Sequence, residues 1–412
     1  MREMSPNRRS VFLDRSTPPH IATMILITSL GALGMNLFLP SLPGMAEFFD
    51  TPYGVIQIAV AGYLGVNAIM QIIIGPLSDR YGRRKVMMWS ILVFILATLG
   101  CVLSTHIVVF LTFRMIQAAI VAGLVLPRAA IRDLYTQDES ASMIGYVTMG
   151  MSVAPMIAPF FGGILDEAFG WHASFIALLI CGIGALALTF YDFGETAAPS
   201  TASLRAQIAQ YPELLTAPRF WGYALTAAFA SGAFFAYLGG APYVGSEVFG
   251  MSPSQLGLYF GAPAVGYLVG NGLTGRYSVK VGTNRMVLIG TVTTVFGLGI
   301  ALILSLTGVA TAEIFFGFMT FVGLGNGLVI PNSTAGMLSV RPHLAGTASG
   351  LGGAIMIGGG AALSTLAGVL LAGQSTALPL IALMTATSAA AVASIIFVIY
   401  REARLARTRS AA

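Results

Sequence analysis

The sequence predicts an all-α integral membrane protein, with twelve transmembrane helices in two pseudosymmetric six-helix bundles. Three observations carry this. The chain divides into apolar stretches of spanning length, about 20 residues for a hydrocarbon core. Of its 21 Lys and Arg residues, all but Arg114 then fall on one side of the membrane. The two halves also echo each other at a shift of 200 residues.

Spans are expected near 21–41, 53–77, 86–105, 107–127, 142–165, 172–191, 220–243, 255–275, 286–306, 311–337, 344–372 and 377–399. The N-tail holds Arg2, Arg8, Arg9 and Arg15. The loop after the second span holds Arg80, Arg83, Arg84 and Lys85, and the loop after the fourth holds Arg128 and Arg132. Arg205 and Arg219 lie in the central linker. Arg276, Lys280 and Arg285 follow the eighth span, and Arg341 follows the tenth. The C-tail holds Arg401, Arg404, Arg407 and Arg409. The opposite loops carry Glu47, Asp50, Asp166, Glu167 and Glu247 but no Lys or Arg. Positive residues stay cytoplasmic, so both termini are expected inside. The domains expected are an N-tail at 1–19, a bundle at 20–192, a linker at 193–218, a bundle at 219–400 and a C-tail at 401–412.

Composition agrees. Hydrophobic residues make up 56% and charged residues 9%, with a mean hydropathy of +0.83, whereas a soluble domain is about a quarter charged. The net charge of +5 is spread over loops that face anionic headgroups, so it points to lipid and not to nucleic acid. No cleavable signal peptide is evident, because the first apolar run is too long. Cys101 and Cys181 fall within spans and read as packing residues. No metal-spaced His/Glu set, nucleophile elbow, phosphate loop or cofactor motif is present, which argues against a membrane enzyme and an ATP-driven pump. The four histidines sit near span ends and read as interfacial. Many of the 49 glycines lie inside spans, where small residues let helices approach closely. Those of spans 5 and 11 read as tight packing or as a smooth surface for rocking.

The stretch from Gly75 to Val86 carries one acid, Asp79, among Arg80, Arg83, Arg84 and Lys85. Gly75 and Gly82 permit close approach and a tight turn. An acid beside arginines at a helix terminus is stabilised in its charged form, so this stretch reads as a clasp between the halves. The second copy, Gly275 to Gly282, has Val279 in place of the acid. This stretch resembles the signature loop of the major facilitator superfamily. Leu39–Pro43, Arg114–Gln117, Arg132–Tyr135, Ala154–Gly163, Gly170–His172 and Gly346–Ser349 resemble Bcr/CflA-type drug:proton antiporters.

The resemblance implies the major facilitator fold and export of small, mostly apolar compounds in exchange for protons, without a cofactor. It also implies a role for Arg114 in proton coupling and places spans 1, 4, 7 and 10 around a central cavity. Where similar exporters carry Asp, this chain has Asn36, which cannot titrate. Glu313 is the acid left within the later spans and is expected to titrate beside Arg114, unless it is solvated at the outer mouth. Met35, Asn36, Tyr63, Asn67, Gln117, Phe234, Tyr237 and Asn326 are expected to line the cavity, with Gln57, Gln71, Asn271 and Asn332 as further polar groups. Expected partners are the small-molecule substrate, protons and membrane lipids, and the chain reads as a monomer of a bacterial-type inner membrane. Proton-coupled uptake or export of a metabolite such as an amino acid or sugar stays open, and so, further off, does an integral membrane enzyme.

Overall fold

A computed structural model of the chain describes residues 10–134, 137–196, 211–309, 311–341 and 344–410. The readings made above for Arg2, Arg8, Arg9, Tyr135, Arg205 and His343, and for linker residues 197–210, lie outside the described residues.

Twelve long helices form the described chain: α1 (Ile21–Phe48), α2 (Tyr53–Tyr81), α3 (Arg83–Leu103), α4 (Ile107–Leu134), α5 (Gln137–Phe169), α6 (His172–Asp192), α7 (Pro218–Val248), α8 (Ala262–Val281), α9 (Thr283–Leu306), α10 (Ala312–Val340), α11 (Ala345–Leu371) and α12 (Leu378–Ser410). Among the described residues, ten are long and apolar enough by themselves to cross a membrane. The other two are α5, which contains Pro155 and Pro159, and α8, whose sequence is rich in glycine and polar residues. Most backbone hydrogen bonds are made within each helix, as a bilayer requires.

Boundaries follow local chemistry. Gly82 and Gly282 have φ of 96° and 89°, a conformation that stops α2 and α8 and allows α3 and α9 to start one residue later. α4 runs on to Leu134, so Arg128 and Arg132 lie in its last turns and not in a loop.

The halves meet through α2 against α11, and through α5 against the short helix Pro253–Tyr259 that leads into α8. Glycine makes the second contact possible. A Cβ on Gly163 would lie 3.0 Å from Ser254 Cα, and one on Gly257 would lie 3.0 Å from Phe160 Cα. This second contact is at the end bearing the acidic loops, and the first runs from there, at Gln57 and Gly368, along α2 to Gln71 and Gly353. At the other end, an added Cβ on Gly75, Gly272 or Gly275 would meet nothing within 4 Å.

Candidate functional site

Arg114 is fully buried at the end of the first segment of α4. Its guanidinium carbon lies 4.3 Å from the centre of the Phe38 ring and 4.0 Å from that of Tyr63. Nε donates to the Ala59 carbonyl at 3.1 Å, and Nη1 donates to Gln117 Oε1. The Gln117 amide in turn donates to Thr98 Oγ1 at 2.7 Å. Nη2 has no hydrogen-bond partner. A charge at this depth costs at least roughly 2.5–3.5 kcal/mol. Two desolvated ring contacts at about 2 kcal/mol each offset that without any carboxylate. Phe38 and Ala59 were not legible as partners, because nothing in their own sequence context marks an aromatic or a carbonyl as cation-facing.

The neighbouring candidates divide between the halves. Asn36 is buried, and its amide donates to Ala32 within its own helix at 2.7 Å. Met35 is half-buried beside it. Asn67 is buried one turn beyond Tyr63 and accepts from Gln71 at 2.9 Å. In the second half, the Tyr237 hydroxyl donates to the Phe260 carbonyl at 3.3 Å. Its ring packs on Phe234, Phe260 and Phe316 with centroids 6.3, 4.8 and 6.2 Å away, which makes an aromatic wall. Asn326 is buried on α10. Asn271 instead donates to the Tyr267 carbonyl within its own helix at 2.9 Å, and Asn332 joins α10 to α8 by accepting from Ser278 at 2.5 Å.

Two expectations are corrected. Glu313 does not meet Arg114. It is exposed in the first turn of α10, where the Tyr259 hydroxyl donates to it at 3.4 Å, while the partners of Arg114 all come from the first half. Solvent and a helix N-terminus already satisfy that carboxylate. The clasp also closes within one half in this conformation and not between halves. Asp79 pairs with Arg83 at 2.5 Å, Arg83 Nε reaches Asp133 at 3.1 Å, and Glu195 caps α3 by accepting from Arg83 N at 2.7 Å and Arg84 N at 3.3 Å. Arg80 lies over the Tyr81 ring. Asp133 and Glu195 are 54 and 116 residues from Asp79, beyond the reach of a motif reading. At the Asp79-equivalent place, Val279 is 97% exposed. The second half is tied elsewhere, through Glu402, which pairs with Arg219 and accepts from Asn284 at 2.6 Å.

The acidic-loop end is sealed across the halves. Tyr53 donates to the Gly239 carbonyl at 2.9 Å, and Gln57 donates to the Ser364 carbonyl and lies 3.3 Å from its hydroxyl. Glu167 accepts from Ser254 N at 3.3 Å and from the Ser252 hydroxyl at 3.4 Å, and its carboxyl is held below the usual range by the Ser254 side chain first and then by these two bonds. Half-buried Asp166 is pushed up, first by burial and then by the neighbouring Glu167.

A fold of twelve helices in two halves, sealed at one end around a buried arginine and an aromatic wall, has the architecture of a secondary transporter. The chain matches the Major Facilitator Superfamily over residues 24–365 and belongs to that family. It is 30% identical over 369 residues to an uncharacterized MFS-type transporter, YdgK, of Bacillus subtilis, covering 88% of this chain and 91% of that one. It is 30% identical over 350 residues to a chloramphenicol resistance protein of Pseudomonas aeruginosa, covering 81% and 82%. The fold is similar to that of a peptide transporter, POT, solved with sulfate, with a TM-score of 0.73 at 12% identity, covering 97% and 96%.

Proposed function

We propose that this protein is a proton-coupled drug exporter. It takes small apolar or amphipathic compounds from the cytoplasm or inner leaflet and releases them outside by alternating access. The observation that carries this reading is Arg114, an intramembrane cation fixed by two rings and two hydrogen bonds, with no acid beside it among the described residues. Such a residue marks a substrate or proton path by default. The likeness to a protein named for chloramphenicol resistance supports a drug as cargo.

The two bundles, 20–192 and 219–400, rock about the central cavity, and the chain works as a monomer in the inner membrane with both termini and the linker cytoplasmic. The seal at the acidic-loop end then corresponds to an inward-open state. Proton entry drives the return of the empty carrier, with Arg114 organising the polar centre and the Asp79–Arg83 clasp biasing the two states.

Purified protein in liposomes with an imposed proton gradient tests the reading, with chloramphenicol as probe. Accumulation against inward proton flow is expected. Co-movement with protons would make the protein a symporter, and no movement would remove the transport reading.

A further inference from the structure

Helices α3 and α6 leave a groove of about 700 Å³ on the outer face of the first bundle, at the basic-loop end. Its walls are Trp89, Leu92, Ile183 and Leu186, and its upper rim is Phe190 and Lys85. Trp89 is 67% exposed and Ile183 55%, which only a lipid environment accommodates at this length of apolar surface. The rim is cationic. Arg84 donates to the Phe190 carbonyl at 3.0 Å, and the guanidinium carbons of Arg84 and Arg15 lie 5.5 and 5.8 Å from the centre of the same Phe190 ring. Arg84 Nε is buried without a hydrogen-bond partner. Among the described residues, no carboxylate comes within ion-pair distance of Arg15, Arg84 or Lys85, while the nearby Glu195 accepts from the backbone of α3. A second groove of about 580 Å³, between α7 and α12 and lined by Trp221, Leu225 and Phe397, has no basic side chain in its lining. Charge is what sets the two grooves apart.

We propose that the α3–α6 groove binds an anionic phospholipid of the leaflet that the basic loops face. An acyl chain lies along Trp89, Leu92, Ile183 and Leu186. The phosphate meets Lys85, Arg84 and Arg15, where a guanidinium offers two parallel donors to its oxygens. Tryptophan at headgroup depth fits the same placement. This site goes beyond the transport reading and does not depend on what the protein exports.

The chain has three tryptophans, and Trp171 is only 5% exposed, so each groove carries one lipid-facing emitter. The full chain is reconstituted in phosphatidylcholine vesicles containing brominated phosphatidylglycerol or brominated phosphatidylcholine, and tryptophan quenching is titrated. A juxtamembrane cation attracts anionic lipid about fivefold, the equivalent of roughly 1 kcal/mol. In Trp221→Phe, which leaves Trp89, the anionic lipid should therefore quench at a membrane fraction at least about fivefold lower than the zwitterionic one. In Trp89→Phe, which leaves Trp221, the two lipids should quench alike. Adding Lys85→Gln, Arg84→Gln and Arg15→Gln to Trp221→Phe should bring the ratio close to one, and Ala187→Phe should lower it by filling the groove without changing charge. Unchanged quenching by the zwitterionic lipid shows that a variant has kept its fold. Equal quenching by both lipids in Trp221→Phe, or a preference that survives loss of Lys85, Arg84 and Arg15 together, overturns the proposal.

Discussion

The hydroxyl of Tyr53 is the cleanest handle on the seal between the halves. It donates to Gly239 of α7 at 2.9 Å, and its ring also pairs with that of Tyr243 at 5.0 Å. Tyr53→Phe keeps the ring and deletes the bond. The Gly239 carbonyl lies within α7 and keeps its place in the helical ladder, so no buried acceptor is orphaned. The loss is then the net value of one hydrogen bond, about 0.5–1.5 kcal/mol. The bond exists only while the acidic-loop end is closed, so the whole loss falls on that state. A 1 kcal/mol change raises the open population about fivefold. Ser364 reports it, being fully buried against Gln57. With Cys101 and Cys181 replaced, Ser364→Cys should react with an impermeant thiol reagent about fivefold faster when Tyr53→Phe is present. An unchanged or slower rate would refute the idea that this bond belongs to a seal that opens.

Three further outcomes are expected. Arg114→Ala should abolish proton-driven export, and Arg114→Lys should not restore it, because an ammonium cannot fill the plane between Phe38 and Tyr63; the readout is liposome transport at matched protein content. Asp79→Asn removes an ion pair with the buried Arg83, worth about 1 kcal/mol since Asp79 is a quarter exposed and Arg83 keeps Asp133, and should slow transport by about fivefold without lowering the amount in the membrane. Acidification should favour the closed acidic-loop end through Asp166. Burial raises its carboxyl in the closed form, so its contribution to closure is complete below the ordinary carboxylate value and is lost as pH rises through the raised value. A spin-label distance across that mouth should shorten as pH falls, and Asp166→Asn should fix it short. Glu313→Gln should leave both this response and export intact, and loss of either would return Glu313 to the coupling site.

Some of this was written in one dimension. Spanning helices are set by length and hydropathy, and most of their ends are local events, as at Gly82 and Gly282. The reading near 107–127 stopped short at Arg128, because α4 carries its basic residues inside its last turns. Arg114 stood out for the same one-dimensional reason, as a charge inside an apolar run. Its environment did not, because Phe38 and Ala59 reach it from two other helices, and Thr98 of a third holds the Gln117 amide that in turn accepts from it. Likewise, the motif at 75–86 announced a charge cluster, but Asp133 and Glu195 complete it from the ends of α4 and α6, where only packing brings them. Glu313 shows the opposite error. Its sequence position near the depth of Arg114 suggested a shared cavity, whereas the rotation and end of α10 leave it in solvent. Length and hydropathy along the chain thus mark ten of the twelve long helices as spans among the described residues, with α5 and α8 left to be recognised by their place between them. Which side chains face one another across helices depends on the rotation and depth of each helix, and these are decided by tertiary packing alone.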